Sequence, residues 1–514
     1  MSLVVSVEAA CRRYEDRPAL IDARVEYSYG EMLDRARRLA SALVDLGVGK
    51  DDCVLICLGN IADYFVIELG VALAGAVRLP TLTKNSPEEL RKFIDVTDAK
   101  AVFAGGAGVE PARAAAALVE WPIPVILAGE TPRAAELELD ALIAASRPRT
   151  EALDAVADDL NAIRFTGGSV EMPKGVMLSH RSMERMADMM VVNWGFERDD
   201  RFLHIHPVTH ASGFLAYGYM LRGACNVMQE DFSVTPERVL ESFARYGITS
   251  TFLVPTLIGG LLDYDGLGDL DTSRLRHIFY GGAPITPARL RAAIDAFGSV
   301  LVQIYGSSET SFTLTTLLPS EHEFEGEPPN RLASVGRTVI GAADVRIRAE
   351  DGSFLPPGEV GEIVARGDVT MDGYWRNPAL SAERKLADGW VLTGDYGSFD
   401  ADGYLYLTPK RKEDLIITGG FNVWPAEVEA VIEEHPAVVE AAVYAVADDR
   451  WGEKVCATVV GPADLADLQD HLRERLVKYK VPKEILLRGD PLPRGEDGAP
   501  LRSDLASDHV AASG

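Results

Sequence analysis

Residues 165–176 read Phe-Thr-Gly-Gly-Ser-Val-Glu-Met-Pro-Lys-Gly-Val, a loop rich in glycine and small residues. A strand-like run over residues 162–165 precedes it, and a helix is predicted to begin after Ser179 and His180. Such a loop can turn its backbone N–H groups toward phosphate oxygens. It is not a Walker A loop, because Lys174 is followed by glycine rather than by Ser or Thr. The stretch therefore predicts a phosphate-binding loop of another kind.

The bulk composition narrows the class of protein. A chain of 514 residues is long enough for more than one domain, and 47% hydrophobic with 25% charged residues is typical of a globular protein. The net charge of −27 argues against nucleic acid or anionic membrane as a partner, whereas a local basic patch suffices for a small anionic ligand. The sequence has no signal-peptide pattern and no apolar run near the ~20 residues that span a bilayer. We expect no nucleic-acid partner and no membrane partner.

Five cysteines are scattered without the spacing of a metal site: Cys11, Cys53, Cys57, Cys225 and Cys456. Most lie among apolar or small residues, which predicts buried free thiols. Free thiols indicate a reducing compartment, so we expect a cytoplasmic protein.

Helical and strand patterns alternate through the first part of the chain. The predicted elements are a helix ending near Gly47, a helix over about 64–74, and strands over 53–58, 76–80, 101–104 and 125–127. This alternation predicts parallel βαβ units, that is, an α/β fold with doubly wound sheets. Residues 105–108 read Gly-Gly-Ala-Gly, but the third glycine of a dinucleotide-binding turn is missing. Residues 131–159 predict a surface helix with a linker.

Two further glycine-containing turns follow predicted strands. Residues 281–284 follow a strand over 277–280, and residues 305–309 follow a strand over 301–304. Ligands of open α/β sheets bind at the carboxyl ends of the strands, so both turns are candidate site segments.

The second half of the chain changes character. Residues 360–407 are strand-rich and punctuated by turns, which predicts a β-rich subdomain. The last hundred residues or so have the length of a separate small α/β domain.

Three histidines lie close together along the chain: His204, His206 and His210. Three closely spaced histidines could indicate a metal site, although no carboxylate or thiolate partners lie nearby. Core histidines are the alternative that we favour at this point.

Taken together, these motifs resemble the adenylate-forming superfamily, which includes acyl-CoA synthetases, peptide-synthetase adenylation domains and beetle luciferases. The loop of that family reads Tyr-Thr-Ser-Gly-Thr-Thr-Gly-x-Pro-Lys-Gly. The matching residues are Thr166, Gly168, Pro173, Lys174 and Gly175. The chain departs at Gly167, where Ser is usual, at Val170, where Thr is usual, and at Glu171, where glycine is usual. The resemblance implies a large N-terminal domain over 1–411, with the β-rich subdomain, and a small mobile C-terminal domain over 412–514.

The resemblance also implies roles for residues of the large domain. The predicted nucleotide-binding residues are Thr166, Gly281, Gly282, Ala283, Tyr305, Gly306, Ser308, Asp395 and Arg411. Ser308 would contact the α-phosphate, Asp395 would accept hydrogen bonds from both ribose hydroxyls, and Glu309 would hold Mg²⁺. His210 would line the acyl pocket. The segment before Arg411 is about one residue longer than the family pattern, which shifts the register. With this shift, Arg411 is the best match to the ribose- and phosphate-binding arginine.

In relatives, the small domain swings about a hinge and presents one face for adenylation and another for thiol attack. Glu413 stands at the hinge position, where the family has Asp or Lys. Gly419 and Gly420 would line the narrow path of the pantetheine, where a Cβ would obstruct. Lys480 and nearby basic residues would bind the phosphates of CoA; a solvated basic face is the alternative.

The end of the chain departs from the family at its catalytic lysine. Relatives end in a segment like Leu-Pro-Arg-Thr-x-x-Gly-Lys-x-x-Arg, and Pro493, Arg494, Gly498 and Arg502 fix the register. Ala499 therefore stands at the lysine position. That lysine bridges the substrate carboxylate and the α-phosphate, and losing one such donor costs about 3–4 kcal/mol of transition-state stabilisation. We expect adenylation to be impaired.

The phosphate loop points in the same direction. Glu171 would place a negative charge beside the β- and γ-phosphates, and Val170 removes a hydroxyl donor. The alternative is that Glu171 faces solvent or helps to hold Mg²⁺.

Three functions remain open. The chain is a complete ATP-dependent acyl-CoA synthetase, or an enzyme specialised for the second half-reaction (acyl-AMP plus CoA gives acyl-CoA plus AMP), or a non-catalytic protein that binds acyl-adenylate or acyl-CoA. We favour the second, with CoA and the AMP moiety as cofactors, Mg²⁺ as an option, and a separate adenylating enzyme that supplies acyl-AMP.

Ala211 follows His210 where amino-acid-activating relatives carry an acidic residue, so we expect an acid that lacks an amine. Glycines at Gly213, Gly281 and Gly282 are expected to leave room for a bulky aromatic, fatty or polycyclic group.

Overall fold

The structure is a computed structural model, and it describes residues 2–149, 156–166, 174–229, 234–283, 285, 287–322, 331–407, 416–423, 425–493 and 500–513.

Local sequence signals account for where the helices begin. Ser28 and Ser86 each form a capping box with a glutamate three residues later, and proline occupies the first turn of several helices. The helices are α1 (Leu3–Arg13), α2 (Tyr29–Asp45), α3 (Asp63–Leu73), α4 (Pro87–Thr97), α5 (Val109–Leu118), α6 (Leu139–Ala145), α7 (His180–Trp194), α8 (Ala211–Leu221), α9 (Pro236–Tyr246), α10 (Pro255–Leu262), α11 (Pro287–Phe297), α12 (Pro378–Arg384), α13 (Pro425–Glu433), α14 (Leu465–Arg475) and α15 (Arg502–Ser513).

The strands are short and mostly apolar. They are β1 (Pro18–Ile21), β2 (Glu26–Ser28), β3 (Cys53–Cys57), β4 (Val77–Pro80), β5 (Ala101–Ala104), β6 (Val125–Leu127), β7 (Leu137–Glu138), β8 (Leu160–Thr166), β9 (Lys174–Ser179), β10 (Arg201–His204), β11 (Cys225–Met228), β12 (Ser250–Leu253), β13 (His277–Tyr280), β14 (Leu301–Tyr305), β15 (Thr315–Leu317), β16 (Arg337–Thr338), β17 (Asp344–Arg348), β18 (Gly361–Arg366), β19 (Gly373–Tyr374), β20 (Val391–Phe399), β21 (Leu405–Leu407), β22 (Ile416–Thr418), β23 (Phe421–Val423), β24 (Glu440–Asp448), β25 (Gly452–Val460) and β26 (Glu484–Arg488).

Two large sheets, mostly parallel, form the body of the N-terminal domain. Their strand orders are β16-β15-β14-β13-β12-β10-β11-β1-β2 and β19-β9-β8-β4-β3-β5-β6-β7. Central strands such as β3 are buried along their whole length, as expected when helices cover both faces of a parallel sheet. Strands β8 and β9 pair antiparallel, with Thr166 opposite Lys174, so they bracket the predicted phosphate loop.

Two smaller sheets complete the architecture. Strands β17-β18-β20-β21 form an antiparallel sheet that corresponds to the predicted β-rich subdomain. Strands β23-β22-β25-β24, with β26 paired to β25, form the sheet of the C-terminal domain, which has its own core between the sheet and helices α13 and α14. The predicted fold class, a large α/β domain with a β-rich subdomain and a small α/β domain, is confirmed.

Local differences have physical reasons. The segment predicted as one surface helix and a linker contains a two-residue strand, β7, before α6. The Gly-Gly-Ala-Gly turn leads into α5, and a Cβ at Gly108 would lie 2.3 Å from the carbonyl oxygen of Cys57. Glycine is needed there for close backbone packing. The cysteines of the chain are free and buried, as predicted.

Candidate active site

A cavity of about 1380 Å³ lies among the large sheets, the β-rich subdomain and the small domain. Its walls include most of the described residues that the motifs single out: His210, Gly282, Ala283, Tyr305, Gly306, Ser308, Glu309, Asp395, Gly420 and Lys480. Gly281 and Gly419 lie beside wall residues without lining the cavity. The structure thus gathers into one space residues that are spread over nearly 300 positions of the chain.

The predicted adenosine-binding residues are joined by a hydrogen bond. The hydroxyl of Tyr305, at the end of β14, donates to Oδ2 of Asp395 on β20 over 3.0 Å. Burial, and then the charge of Asp395, raise the pKa of Tyr305, so its hydroxyl stays a neutral donor. The bond connects the large sheet to the β-rich subdomain and fixes the ring next to a carboxylate that can accept ribose hydroxyls.

Two glycines of this region allow close backbone packing. A Cβ at Gly281 would lie 2.3 Å from the carbonyl oxygen of Ile304, and a Cβ at Gly306 would lie 2.2 Å from that of Phe312. Adjacent backbones could not approach this closely with any side chain present. The turns after β13 and β14 are therefore held together at the cavity edge.

The expectation that glycines leave room for the acid is wrong at two of its three positions. A Cβ at Gly213 would meet the carbonyl oxygen of Val208 at 1.8 Å, and Gly281 packs on Ile304, so neither opens space in the cavity. Gly282 lines the cavity, has a φ of +78°, and would meet no atom within 4 Å.

Glu309 presents its carboxylate at the cavity wall. Oε1 accepts a hydrogen bond of 3.0 Å from the hydroxyl of Tyr374, and the backbone oxygen accepts from the N–H of Met371 over 2.8 Å. Within the described part of the chain, Oε2 has no hydrogen bond. A carboxylate with one oxygen that makes no such bond, at the wall of this cavity, fits the preference of Mg²⁺, which takes one or two carboxylates together with phosphate oxygens.

His210 points into the cavity at the start of α8. Its Nδ1 lies 2.9 Å from the hydroxyl oxygen of Thr209, and its ring centroid lies 6.5 Å from that of Phe421 in the small domain. The side chain is exposed to the cavity. Desolvation by the surrounding protein, and then the charge of Arg164, lower the pKa of His210 to about 4. The imidazole is therefore neutral near neutral pH.

The two neighbouring histidines have other partners. The ring nitrogens of His204 lie 2.7 Å from the Ser212 hydroxyl and 2.9 Å from Oδ1 of Asn226, and Nε2 of His206 accepts from the N–H of Val254. His204 has no nitrogen left for a metal ion. Among the described residues, the three histidines do not converge on one point.

The glycine turn of the small domain contacts the large domain at this wall. Gly419 and Gly420 have φ of +57° and +83°, in the left-handed region that favours glycine. A Cβ at Gly420 would lie 3.1 Å from Cγ1 of Val254, a large-domain residue. Phe421 follows and stacks on Tyr479 with centroids 4.4 Å apart. This turn is thus the part of the small domain that faces His210.

Lys480 lies between the two domains. Its Nζ is 3.1 Å from Oε1 of Glu89 in the large domain and 3.1 Å from Oε2 of Glu427 in the small domain. Burial favours the neutral amine, but the charges of Glu89 and Glu427 outweigh it and raise the pKa of Lys480. The amine is engaged with two carboxylates, so its predicted contact with CoA requires these ion pairs to open.

Several predictions fall outside the described residues. They concern Val170, Glu171, Arg411, Glu413 and Ala499, together with the proposed boundary between 411 and 412; Thr166 is described as the last residue of β8 only. The described residues on either side of Ala499, 491–493 and 500–502, are not among those that line the cavity.

The motifs missed Arg164, which lines the cavity from β8. The available signal was the charge of Arg164 in a strand that has no other charged residue, since charged side chains are rarely fully buried without a partner. Phe421 and Glu89 were also missed, because their role at the domain contact depends on residues far away in the chain.

Comparison with known proteins defines the class. Residues 7–375 match the family model of AMP-binding enzymes, and residues 427–498 match that of the AMP-binding enzyme C-terminal domain. The chain belongs to the AMP-binding enzyme family, in agreement with the resemblance read from its motifs.

Individual relatives are ligases. The chain is 30% identical to a medium/long-chain-fatty-acid–CoA ligase of Mycobacterium tuberculosis, over 96% of this chain and 87% of that protein. It is 33% identical to a 2-succinylbenzoate–CoA ligase of Bacillus licheniformis, over 95% and 96% of the two chains. Among solved structures, it is similar to an amide bond synthetase from Marinactinospora thermotolerans, with a TM-score of 0.88, 30% identity and 99% of both chains covered. The protein is thus an enzyme of the ligase type within this family. No helix of the described chain has the length and apolar character required to cross a membrane.

Proposed function

We propose that this enzyme forms the CoA thioester of a hydrophobic carboxylic acid and is specialised for the second half-reaction, in which acyl-AMP and CoA give acyl-CoA and AMP. The observation that carries the proposal is the position of the Gly420–Phe421 turn against His210 at the cavity. This position supports the proposal, because the turn predicted to line the pantetheine path lies beside the histidine predicted to line the acyl pocket. The replacement of the family lysine by Ala499 supports the specialisation, because that lysine serves adenylation.

The residues at the cavity suit an acyl-AMP. Asp395 accepts the ribose hydroxyls, the ring of Tyr305 packs on adenine, and Ser308 contacts the α-phosphate. Mg²⁺, where present, would be held by Glu309 and would neutralise phosphate charge. The aromatic walls near His210, formed by Phe214, Phe252, Tyr280 and Phe312, suit a hydrophobic acid.

The chemical step needs little beyond positioning, because the adenylate is already activated. The CoA sulfur attacks the acyl carbonyl carbon, a C–S bond forms, and the bond from that carbon to the phosphate oxygen breaks. AMP leaves with the electron pair. Neutral His210, with Nδ1 near Thr209, can accept the thiol proton at Nε2, and the proton then passes to water or to AMP.

A complete ATP-dependent synthetase is the second candidate. It is favoured by relatives that carry the name of CoA ligases and align along nearly the whole chain. On this alternative, another cation would take the place of the missing lysine. Because one similar structure is an amide bond synthetase, the test also includes an amine as the nucleophile in place of the thiol.

The test supplies synthetic acyl-adenylates of aromatic, fatty and polycyclic acids together with CoA, and detects acyl-CoA and AMP by mass spectrometry. We expect thioester from at least one class, at a rate well above the spontaneous reaction. No thioester above background from any class would overturn the proposal. Product with amines in place of CoA would assign amide formation instead. The same acids with ATP and Mg²⁺ measure the complete synthetase separately.

A further inference from the structure

Arg164 is a buried cation in the cavity wall. It lies on β8, three residues before the predicted phosphate loop turns at Gly167, and only 5% of its surface is exposed. It lines the same cavity as His210, whose pKa its charge helps to lower. Its position is therefore on the acyl side of the site.

The contacts of Arg164 leave two of its guanidinium nitrogens, Nε and Nη2, without a hydrogen bond in the described part of the chain. Nη1 donates to the carbonyl oxygen of Thr209 over 2.6 Å, and the guanidinium carbon lies 3.9 Å from the ring centroid of Phe214. Nε is buried without a hydrogen-bond partner. Within the described part of the chain, Nη2 donates no hydrogen bond and the side chain makes no ion pair. Nη2 is therefore the donor that a carboxylate in the cavity can reach, and a hydrogen bond between a guanidinium and a carboxylate is of the strong, charge-assisted kind.

Arg78 is another buried arginine of the same domain, and it has a charged partner. Nη1 of Arg78 lies 3.1 Å from Oε2 of Glu68, and its other donors reach Asn161 and the Tyr217 hydroxyl. Burial lowers the pKa of both arginines. In Arg78 the charge of Glu68, together with Tyr217 and Tyr64, more than offsets this effect and the pKa is raised, whereas the pKa of Arg164 is lowered. A buried cation is normally paired, so the unpaired one at the cavity is the exception.

The aromatic rings beside Arg164 shape its surroundings. Phe214 and Phe312 both line the cavity, with ring centroids 5.4 Å apart and planes within 6° of parallel. An apolar portion of a substrate can pack on these rings, and an anionic end beside it would reach Nη2 of Arg164. A purely hydrocarbon acid would leave Arg164 buried and unpaired.

We propose that Arg164 binds a second carboxylate of the substrate, so that the acid is an apolar or aromatic dicarboxylic acid with one carboxyl activated and the other held by this arginine. The inference rests on the proposed function and specifies its substrate class. Arg164 is a specificity-determining residue, because its anionic partner comes from the far end of the acyl group.

The test measures binding without thioester chemistry. Non-hydrolysable acyl-sulfamoyl adenosines are made in matched pairs that end in a para-carboxyl or a para-methyl group, with benzoyl, cinnamoyl and phenylpropanoyl spacings. Calorimetry gives their Kd for the unmodified protein and for Arg164→Met, Arg164→Lys and Arg164→Gln, with thermal melting as the check on folding. We expect one spacing at which the carboxyl form binds about 10- to 100-fold more tightly than the methyl form, as for hydrogen bonds to a charged group. Arg164→Met should lose this preference and bind the methyl form unchanged, and Arg164→Lys should keep part of it.

Two results would overturn the inference. One is no carboxyl preference at any spacing in the unmodified protein. The other is an equal loss of both forms in Arg164→Met, which would assign the arginine to the adenylate or to the scaffold. If the variants fail to fold, the Kd values of a carboxyl and a carboxamide form are compared on the unmodified protein. Tighter binding of the carboxyl form supports the inference, and equal binding contradicts it. If the protein prefers the carboxyl form but makes no thioester, the proposed function is wrong while the inference about Arg164 is retained.

Discussion

The wall of the cavity that would hold adenosine and thiol differs from the segments that would hold the terminal phosphates of ATP. On the first side, Asp395 and Tyr305 are joined by a hydrogen bond, and Gly420 packs on Val254 beside the cavity. On the second side, the motif match predicts Glu171 at the position of a family glycine and Ala499 at the position of the family lysine. On the proposed function, the groups needed for acyl-AMP and CoA are kept, while the groups needed for pyrophosphate departure are altered.

This difference separates two requirements that one active site usually combines. Adenylation develops negative charge on phosphorus and needs cations and backbone donors already in place. Thiol attack on an acyl-adenylate depends mainly on the relative position of the reactants. An enzyme supplied with acyl-AMP by another enzyme could lose the first set of groups and keep the second.

The largest effect is expected at the thiol path. Gly420→Leu should abolish thioester formation, because the side chain would enter the contact with Val254 and the backbone has a left-handed φ. Binding of a non-hydrolysable acyl-adenylate mimic should persist. Gly403→Leu is the matched control, since Gly403 has a φ of +82° and no atom within 4 Å of a Cβ. Equal loss in both variants, or equal loss of binding and thioester formation in Gly420→Leu, would show damage to the fold rather than to the path.

The next largest effect is an expected gain in adenylation when the residues predicted to lie near the triphosphate are changed. Ala499→Lys should raise pyrophosphate release from acid, ATP and Mg²⁺ by about 10²- to 10³-fold, the worth of one preorganised donor. Adding Glu171→Gly should raise it further by removing a like charge, and the two effects should roughly add unless the new lysine pairs with Glu171. Pyrophosphate assays on the unmodified protein, Ala499→Lys, Glu171→Gly and the double variant measure this. No gain in any variant would mean that the missing lysine is not what limits adenylation.

A smaller loss is expected on the adenosine side. Asp395→Asn should weaken binding of the acyl-adenylate mimic by about 10- to 100-fold, because the ribose hydroxyls would lose a charged acceptor. Calorimetry measures the Kd. Tyr305→Phe serves as the comparison, since it removes the hydrogen bond to Asp395 but keeps a ring for adenine. A Kd unchanged in Asp395→Asn would remove this carboxylate from the nucleotide site.

The smallest effect concerns pH. Desolvation by the surrounding protein, together with the charge of Arg164, lowers the pKa of His210 to about 4 from its ordinary value near 6.5. As the pH falls below 6.5, the unfolded chain binds a proton at this imidazole before the folded protein does. The contribution of neutral His210 to the free energy of unfolding is therefore lost between pH 6.5 and about pH 4. In the folded enzyme, the ratio of thioester rates between the unmodified protein and His210→Gln should stay constant from about pH 5.5 to 8. A ratio that falls with a midpoint near 6.5 would mean that His210 titrates as an exposed imidazole.

The sequence predicted the fold and the strands that carry the site because these depend on local patterns. Tyr305 and Asp395 were placed at the nucleotide by motif, yet their mutual hydrogen bond spans 90 positions and could not be read from spacing. Gly213 was misjudged because a glycine that permits backbone contact and one that opens a pocket look alike in sequence. Only the position of the Val208 carbonyl distinguishes them.

The remaining features depend on contacts between distant segments. Lys480 was expected to bind CoA, and the structure places it against Glu89, 391 positions away. Arg164 lies between two residues that pack with a hydrophobic cluster, Ile163 and Phe165, and its partners Thr209 and Phe214 come from α8 and the turn before it. No local pattern indicates whether a charge in such a strand has a partner.

The most direct test of the specialisation compares two reactions of the unmodified protein with the same acid. One assay measures pyrophosphate release from acid, ATP and Mg²⁺, and the other measures acyl-CoA formed from synthetic acyl-AMP and CoA. The account predicts efficient conversion of acyl-AMP with almost no pyrophosphate release. Pyrophosphate release as fast as thioester formation would contradict it and would make the protein a complete acyl-CoA synthetase that uses another cation.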